Sequence, residues 1–233
     1  MEVISIIIPC YNGEAFVKEA IDSVKAQTSS QWECIIVDDG STDKSGEIID
    51  NETDGDNRFI VRHIENGGVA NARNVGIMLA NGEYILPLDA DDKLRPRAIE
   101  IFFQFWEMYP DASLLVPARQ NFNENGPIKI QKRKWKGYVN LTLQCTPQNT
   151  SCYKRSDWQR VGGYRSGTMY EDWEFWIRML FKNDNVVNID EVLVDYRVRK
   201  DSRVHEADKK RALEVLKIKK MNPHIYKRLW IRK

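Results

Sequence analysis

The chain opens on Val3-Ile4-Ser5-Ile6-Ile7-Ile8, a β-branched run that Pro9 closes. A short apolar run without alternation fits a strand buried on both faces of a parallel sheet. Ala15, Phe16, Ala20, Ile21 and Val24 then recur at helical spacing, up to a polar loop over 27–31. Residues 34–37 predict a second buried strand, and Asp38-Asp39-Gly40-Ser41-Thr42-Asp43 a turn whose side chains can cap the next helix. The pattern repeats with strand over 59–64, helix over 69–80 closed by Asn81-Gly82, and strand over 84–88 running into Asp89-Ala90-Asp91-Asp92. Strand and helix alternating over some 90 residues predict a doubly wound α/β sheet.

The regularity falls in the second half. A helix over 97–108 stops near Pro110, residues 112–117 read as strand, and 120–135 as hairpin and loop. Trp173, Trp176, Ile177 and Leu180 put one apolar stripe on a helix starting at Glu171. Residues 192–199 alternate like a strand and 205–221 return to a helical pattern. The fold class expected is therefore α/β, a mixed, mostly parallel sheet flanked by helices with a less regular C-terminal half.

Charge adds a division that apolar patterning does not give. The net charge is +1, yet from residue 207 onward ten Lys or Arg meet two acidic residues, leaving about +8 there and about −7 on residues 1–206. We expect a body over 1–206 and a basic tail over 207–233. The tail mixes basic and apolar residues and suits an anionic membrane surface. An acidic body excludes a nucleic-acid coat. No apolar stretch reaches the ~18 residues of a membrane span, and the N-terminus lacks signal-peptide regions. The expected location is the cytoplasm, with the tail peripheral on the inner face of the membrane. Cys10, Cys34, Cys145 and Cys152 lack zinc-site spacing and read as reduced thiols. The sequons at Asn51, Asn140 and Asn149 carry no meaning in that compartment.

Neither main nucleotide signature, the phosphate loop nor G-x-G-x-x-G, occurs. Carboxylates stand instead at strand ends, where ligands of open α/β sheets sit: Asp38 and Asp39, then Asp89, Asp91 and Asp92. They repel a diphosphate unless Mg²⁺ or Mn²⁺ lies between, shared by carboxylate and phosphate oxygens. In an extended D-x-D, Asp89 and Asp91 would face one ligand. An Asp-rich turn is also an ordinary solvated loop.

Four linked stretches decide between these. Ser5-Ile6-Ile7-Ile8-Pro9-Cys10-Tyr11-Asn12, Ile35-Ile36-Val37-Asp38-Asp39-Gly40-Ser41-Thr42-Asp43, Asn66-Gly67-Gly68-Val69-Ala70-Asn71-Ala72-Arg73-Asn74 and Gly82-Glu83-Tyr84-Ile85 with Leu88-Asp89-Ala90-Asp91-Asp92 resemble, in that order, glycosyltransferase family 2. The likeness resumes at Val161-Gly162-Gly163-Tyr164 and Glu171-Asp172-Trp173, then fades after Tyr196-Arg197. The resemblance implies a GT-A fold, with 1–96 as the nucleotide-sugar-binding half and 97–206 as the acceptor-side half, and sugar transfer from a nucleoside diphosphate donor, UDP-linked by expectation, to a saccharide or lipid-linked saccharide. It implies that Pro9 and Tyr11 wall the base pocket, Asp39 hydrogen-bonds the base, Arg73 lies near the nucleotide, Asp89 approaches the ribose and Asp91 ligates the metal.

Inverting transfer needs a carboxylate that takes the acceptor's proton as its oxygen attacks. By the resemblance Asp172 is that base, in a catalytic pair with Glu171; the pair would also cap the Trp173 helix. Many relatives carry a His after the Tyr-Arg pair, where this chain has Arg199. Arg199 could contact the diphosphate, or His205 could supply the imidazole. Trp135, Tyr138, Gln148 and Asn149 lie where the acceptor site would form, although such aromatic residues more often pack in cores. The competing reading is a nucleotide-sugar-binding or scaffold protein of this fold without turnover.

Overall fold

A computed structural model describes residues 3–199 and 207–230, with side chains through 227. His205 and the last three residues of the basic tail lie outside the described residues. The strands are β1 (Ile4–Cys10), β2 (Trp32–Asp38), β3 (Phe59–His63), β4 (Tyr84–Pro87), β5 (Lys93–Leu94), β6 (Leu114–Asn123), β7 (Gly126–Gln131), β8 (Cys152–Lys154) and β9 (Val186–Arg197). The helices are α1 (Val17–Lys25), α2 (Ser45–Thr53), α3 (Val69–Leu79), α4 (Ala98–Met108), α5 (Tyr138–Leu141), α6 (Arg155–Val161), α7 (Glu171–Met179), α8 (Arg211–Met221) and α9 (Pro223–Trp230). One sheet runs β3-β2-β1-β4-β8-β6-β9-β5, with β7 paired to β6.

The first four strands pair in parallel, and β6 pairs in parallel with β9. The short β8 runs antiparallel to both β4 and β6 and joins the two halves. Because Cβ directions alternate along a strand, Ile4, Ile6 and Ile8 pack with α1, α2 and α4 while Ile7 packs with α3 and α7. That double cover is why β1 reads as unbroken apolar sequence. Each Ile so buried contributes about 1.5–3 kcal/mol.

Pro9 does not end β1, contrary to the expectation from sequence. It pairs with Val37 on β2. Ile7 accepts from Leu88 N at 2.9 Å, so Ile7, and Pro9 two residues on, direct their backbone polar groups to the β4 side. Pairing with β4 has stopped at Ile7↔Pro87, so the missing N–H of Pro9 costs no ladder bond.

The basic C-terminal segment packs on the body. Ile218 of α8 and Ile225 of α9 are each 1% exposed and join the core beside α7. Glu214, also buried, accepts from Thr168 Oγ1 at 2.9 Å and Met169 N at 2.7 Å, tying α8 to the loop before α7. Asn222 donates to Glu174 of α7 at 3.1 Å. The charge asymmetry thus marks a surface, while the apolar residues between the charges hold α7 in place. Among the described residues no helix is long and apolar enough to cross a membrane.

Candidate active site

The carboxyl ends of β1, β2 and β4 lie side by side because β4 returns to the far side of β1. This change of direction is where open α/β sheets bind ligands. Two loops there are stitched together. Thr42 N donates to Asn12 Oδ1 at 2.8 Å, Asn12 N to Ser41 Oγ at 2.9 Å and Lys44 N to Glu14 Oε2 at 2.9 Å. Asn12 holds φ of +48°, a left-handed turn that Asn tolerates. Tyr11, 54% exposed, is left on the rim, with Pro9 buried behind it.

Asp39 is 2% exposed, and its two carboxylate oxygens accept from Gly67 N at 2.8 Å and Gly68 N at 2.9 Å. It therefore fixes the loop opening α3, a role the sequence did not suggest; further lone pairs remain on both oxygens. Gly40 beside it sits at φ +71°, where a Cβ would stand 2.8 Å from Asn66 N. Only glycine closes this turn without strain.

The strongest arrangement is a buried ion chain. Arg73, 3% exposed, donates from Nη1 to Glu171 Oε1 at 2.7 Å and from Nη2 to Asp89 Oδ1 at 2.9 Å. Burial opposes its charge, but Asp89 and Glu171 outweigh that and raise its pKa. The helix that carries it is fixed from the other side. Asn74 accepts from Tyr164 N at 2.8 Å and Trp158 Nε1 at 3.0 Å and donates to Tyr164 O at 2.9 Å. Gly163, at φ +74°, lets this happen, since a Cβ there would meet Asn74 Oδ1 at 2.7 Å. The Val161-Gly162-Gly163-Tyr164 motif is thus a clamp that carries Tyr164 up to the Arg73 guanidinium, 5.5 Å from its ring.

Asp172 follows Glu171 in the first turn of α7 and accepts from Trp173 N at 2.8 Å. Burial, then Glu171, push its pKa up from 3.8 to about 6, Arg73 and the Trp173 amide opposing them. Glu171 itself is buried against Arg73, so of the two only Asp172 keeps a carboxylate outside that ion chain.

The Asp89–Asp92 loop is not extended. Asp92 N donates to Asp89 O at 2.9 Å, closing a turn, so the carboxylates of the D-x-D take different partners. Asp89 takes Arg73 and Asn149 Nδ2, the latter at 2.9 Å; Asp91 Oδ2 takes Arg199 Nη1 at 3.2 Å; and Asp92, buried, takes Arg197 N at 2.8 Å. Burial and then Asp89 raise the pKa of Asp91, and the same two causes raise that of Asp92 further. Crowded oxygen donors of this kind fit a hard divalent cation, which one or two carboxylates and a ligand's phosphates can share. Among the described residues no three His, Cys, Asp or Glu side chains form a complete metal cage. Any cation would take the rest of its shell from phosphate and water.

Asn149, Gln148, Arg119, Tyr196, Asp89 and Asp92 line a cavity of about 20 Å³, room for about one water. Among the described residues Gln148 Oε1 and Asn149 Oδ1, both buried, have no hydrogen-bond partner. Trp135 and Tyr138 instead pack on the core, Tyr138 OH donating to Ile177 O at 2.7 Å. The site thus joins Arg73, Asp89, Glu171 and Asp172, with Asp91 beside them and Pro9, Tyr11 and Asp39 on the neighbouring strand ends. One signal for the ion chain was visible beforehand: Ala70, Arg73 and Ile77 share the buried face of α3, and a cation at such a position needs an anion from elsewhere. Asn149, expected in the acceptor segment, donates to Asp89.

The Glycosyl transferase family 2 model matches residues 5–164, and the chain belongs to that family. The pneumococcal glycosyltransferase GlyG (Streptococcus pneumoniae serotype 4) is 42% identical over 125 residues, 53% of this chain and 41% of GlyG, so the chain spans well under half of that relative. In fold it is similar to S. aureus TarS 1-349 in complex with UDP-GlcNAc, with TM-score 0.75 and 21% identity over 89% of this chain and 61% of that one. It is also similar to the mannosyltransferase PcManGT of Pyrobaculum calidifontis in complex with GDP-Man and Mn2+, with TM-score 0.70 and 18% identity over 95% of this chain and 64% of that one. The fold is that of GT-A proteins.

Proposed function

We propose that the chain is an inverting, metal-dependent glycosyltransferase that moves a sugar from a nucleoside diphosphate, UDP by preference, to a hydroxyl of a saccharide or lipid-linked saccharide. The observation that carries this reading is the Asp89–Arg73–Glu171 chain. It ties the donor-side strand end to the residue next to Asp172, so a base and a nucleotide pocket are held in one rigid frame. Family membership and folds similar to complexes with UDP-GlcNAc and with GDP-Man and Mn2+ support the donor class.

In this reading the Asp39 loop and Tyr11 wall the base, with Pro9 behind them, and Asp89 faces the ribose. Asp91 would hold Mn²⁺ or Mg²⁺, which when bound supplies positive charge to the leaving diphosphate. Arg199 stands close enough to Asp91 to add charge on the same side. Asp172 accepts the acceptor's hydroxyl proton while that oxygen bonds to the anomeric carbon. The bond from that carbon to the diphosphate oxygen breaks, and its electron pair leaves with the nucleoside diphosphate. Glu171 positions Arg73 and is not itself the base.

Two further assignments follow. The division at residues 96 and 206 describes functional halves and a surface, not separate cores. On that surface Leu213 and Leu216, each 54% exposed, lie among Lys209, Lys219 and Lys220, which supports contact with an anionic membrane face from the cytoplasmic side.

Asp91→Asn tests the metal assignment. It keeps the volume and removes the charge, so the Mn²⁺-dependent part of nucleotide affinity should fall about tenfold or more, about 1.4 kcal/mol per decade. Unchanged Mn²⁺ dependence in calorimetry would take Asp91 out of the metal site.

A further inference from the structure

Three arginines stand on the acceptor side, two of them, Arg119 and Arg133, without a carboxylate partner among the described residues and the third, Arg211, with only a long contact to Asp208. Arg133, two residues beyond β7, donates from Nη1 to Cys145 O at 3.1 Å. Arg119 of β6 donates from Nε to Gln131 Oε1 at 3.1 Å and lies 3.8 Å over the Tyr196 ring. Arg211 at the start of α8 stands 5.3 Å over the ring of Trp173, the residue after Asp172. Among the described residues no acidic group comes within ion-pair distance of Arg119 or Arg133, and Arg211 has only Asp208 at 3.8 Å, itself half exposed. The carboxylates that act on Arg119 from further off, Asp92 and Asp89, are already bonded to the Arg197 amide and to Arg73 and Asn149.

Elsewhere Arg58, Arg73, Arg160 and Arg178 are paired closely with carboxylates. Neutral acceptors and an aromatic face fix the Arg119 and Arg133 forks without using up their charge, and Arg211 spends its own only on a long contact at an exposed carboxylate, an arrangement suited to bidentate capture of an incoming anion.

Their place relative to Asp172 says which anion. The half-buried Cys145 feels Asp172, Arg133 and Arg211 together, and burial with Asp172 holds its thiol well above the usual range while both arginines oppose them. By geometry Arg133 is hydrogen-bonded to Cys145 and Arg211 stands over Trp173, the neighbour of Asp172 in α7. The donor's phosphates belong instead with Asp91 and Arg199 at the ends of β4 and β9.

Resting on the glycosyltransferase reading, we infer that the acceptor is anionic, carrying a phosphate or carboxylate near its attacking hydroxyl, and that Arg133 and Arg211, with Arg119 beyond them, receive that group. A phosphate would come from a phosphorylated saccharide or a lipid-linked one, a carboxylate from a uronic acid.

Calorimetry on the chain saturated with Mn²⁺ and its preferred nucleoside diphosphate tests this with glucose, glucose 6-phosphate and glucuronate as probes. One anionic sugar should bind about tenfold tighter than glucose, the order expected of a charge-assisted contact. Arg133→Gln with Arg211→Gln should reduce it to the level of glucose, Lys at both positions should restore only part of the preference because a point charge replaces a bidentate fork, and nucleotide affinity should stay unchanged throughout. Equal binding of all three sugars, or no binding of either anionic probe, overturns the inference. A loss of nucleotide affinity in the Gln variants overturns it by moving the arginines to the donor side. No binding of any nucleoside diphosphate is a separate outcome, which defeats the glycosyltransferase reading itself.

Discussion

Asp172→Asn should lower turnover by roughly two to four orders of magnitude, the contribution of a positioned general base, or about 3–5 kcal/mol of barrier. Donor affinity should be spared, because the nucleotide pocket is built from β1, β2 and β4 and the substitution keeps the acceptor for the Trp173 amide. The pH profile separates this role from a capping one. Burial and Glu171 raise the carboxyl to about 6, and the base is the deprotonated form, so turnover should fall as pH drops through about 6 and level off above it. The Asn variant should lose that acidic limb along with the rate. A variant that keeps both would leave Asp172 as a helix cap.

The second large effect is on stability. Arg73→Met removes the guanidinium that joins Asp89 to Glu171 and takes from Glu171, 7% exposed, a charged partner at 2.7 Å. Breaking a buried pair from one side costs about 3–5 kcal/mol, which for a chain of this size is about 6–20 °C in Tm. Adding Glu171→Gln removes the stranded charge, so the double variant should be more stable than the sum of the single losses, with a coupling of about 0.5–3 kcal/mol. Additive melting losses would mean that the pair is not the joint described above.

The two effects divide along a line that the sequence already contained. Asp39, Asp89 and Asp91 were legible because each ends a strand whose apolar run is unmistakable, and Asp172 because it opens a helix with an obvious apolar stripe. The partners were not. Arg73 and Glu171 are 98 residues apart and Asn149 and Asp89 are 60 apart, distances that only the β8 crossover between the two halves of the sheet brings together. The extended D-x-D failed for a local reason, the turn closed by Asp92 N. The Pro9 boundary failed for a tertiary one, since the missing N–H costs nothing only where β4 has stopped. How the basic segment packs was not legible from its charge, since Ile218 and Ile225, whose burial binds α8 and α9 to α7, carry none.

The central claim is that the ends of β1, β2 and β4 hold a nucleoside diphosphate together with a divalent cation. Titration of the chain with UDP, GDP and CDP, each in Mn²⁺ and in EDTA, tests it without knowledge of the acceptor. One nucleotide should bind in Mn²⁺ and lose most of its affinity in EDTA, with UDP the expected one. Binding of none of the three with the metal present would contradict the account.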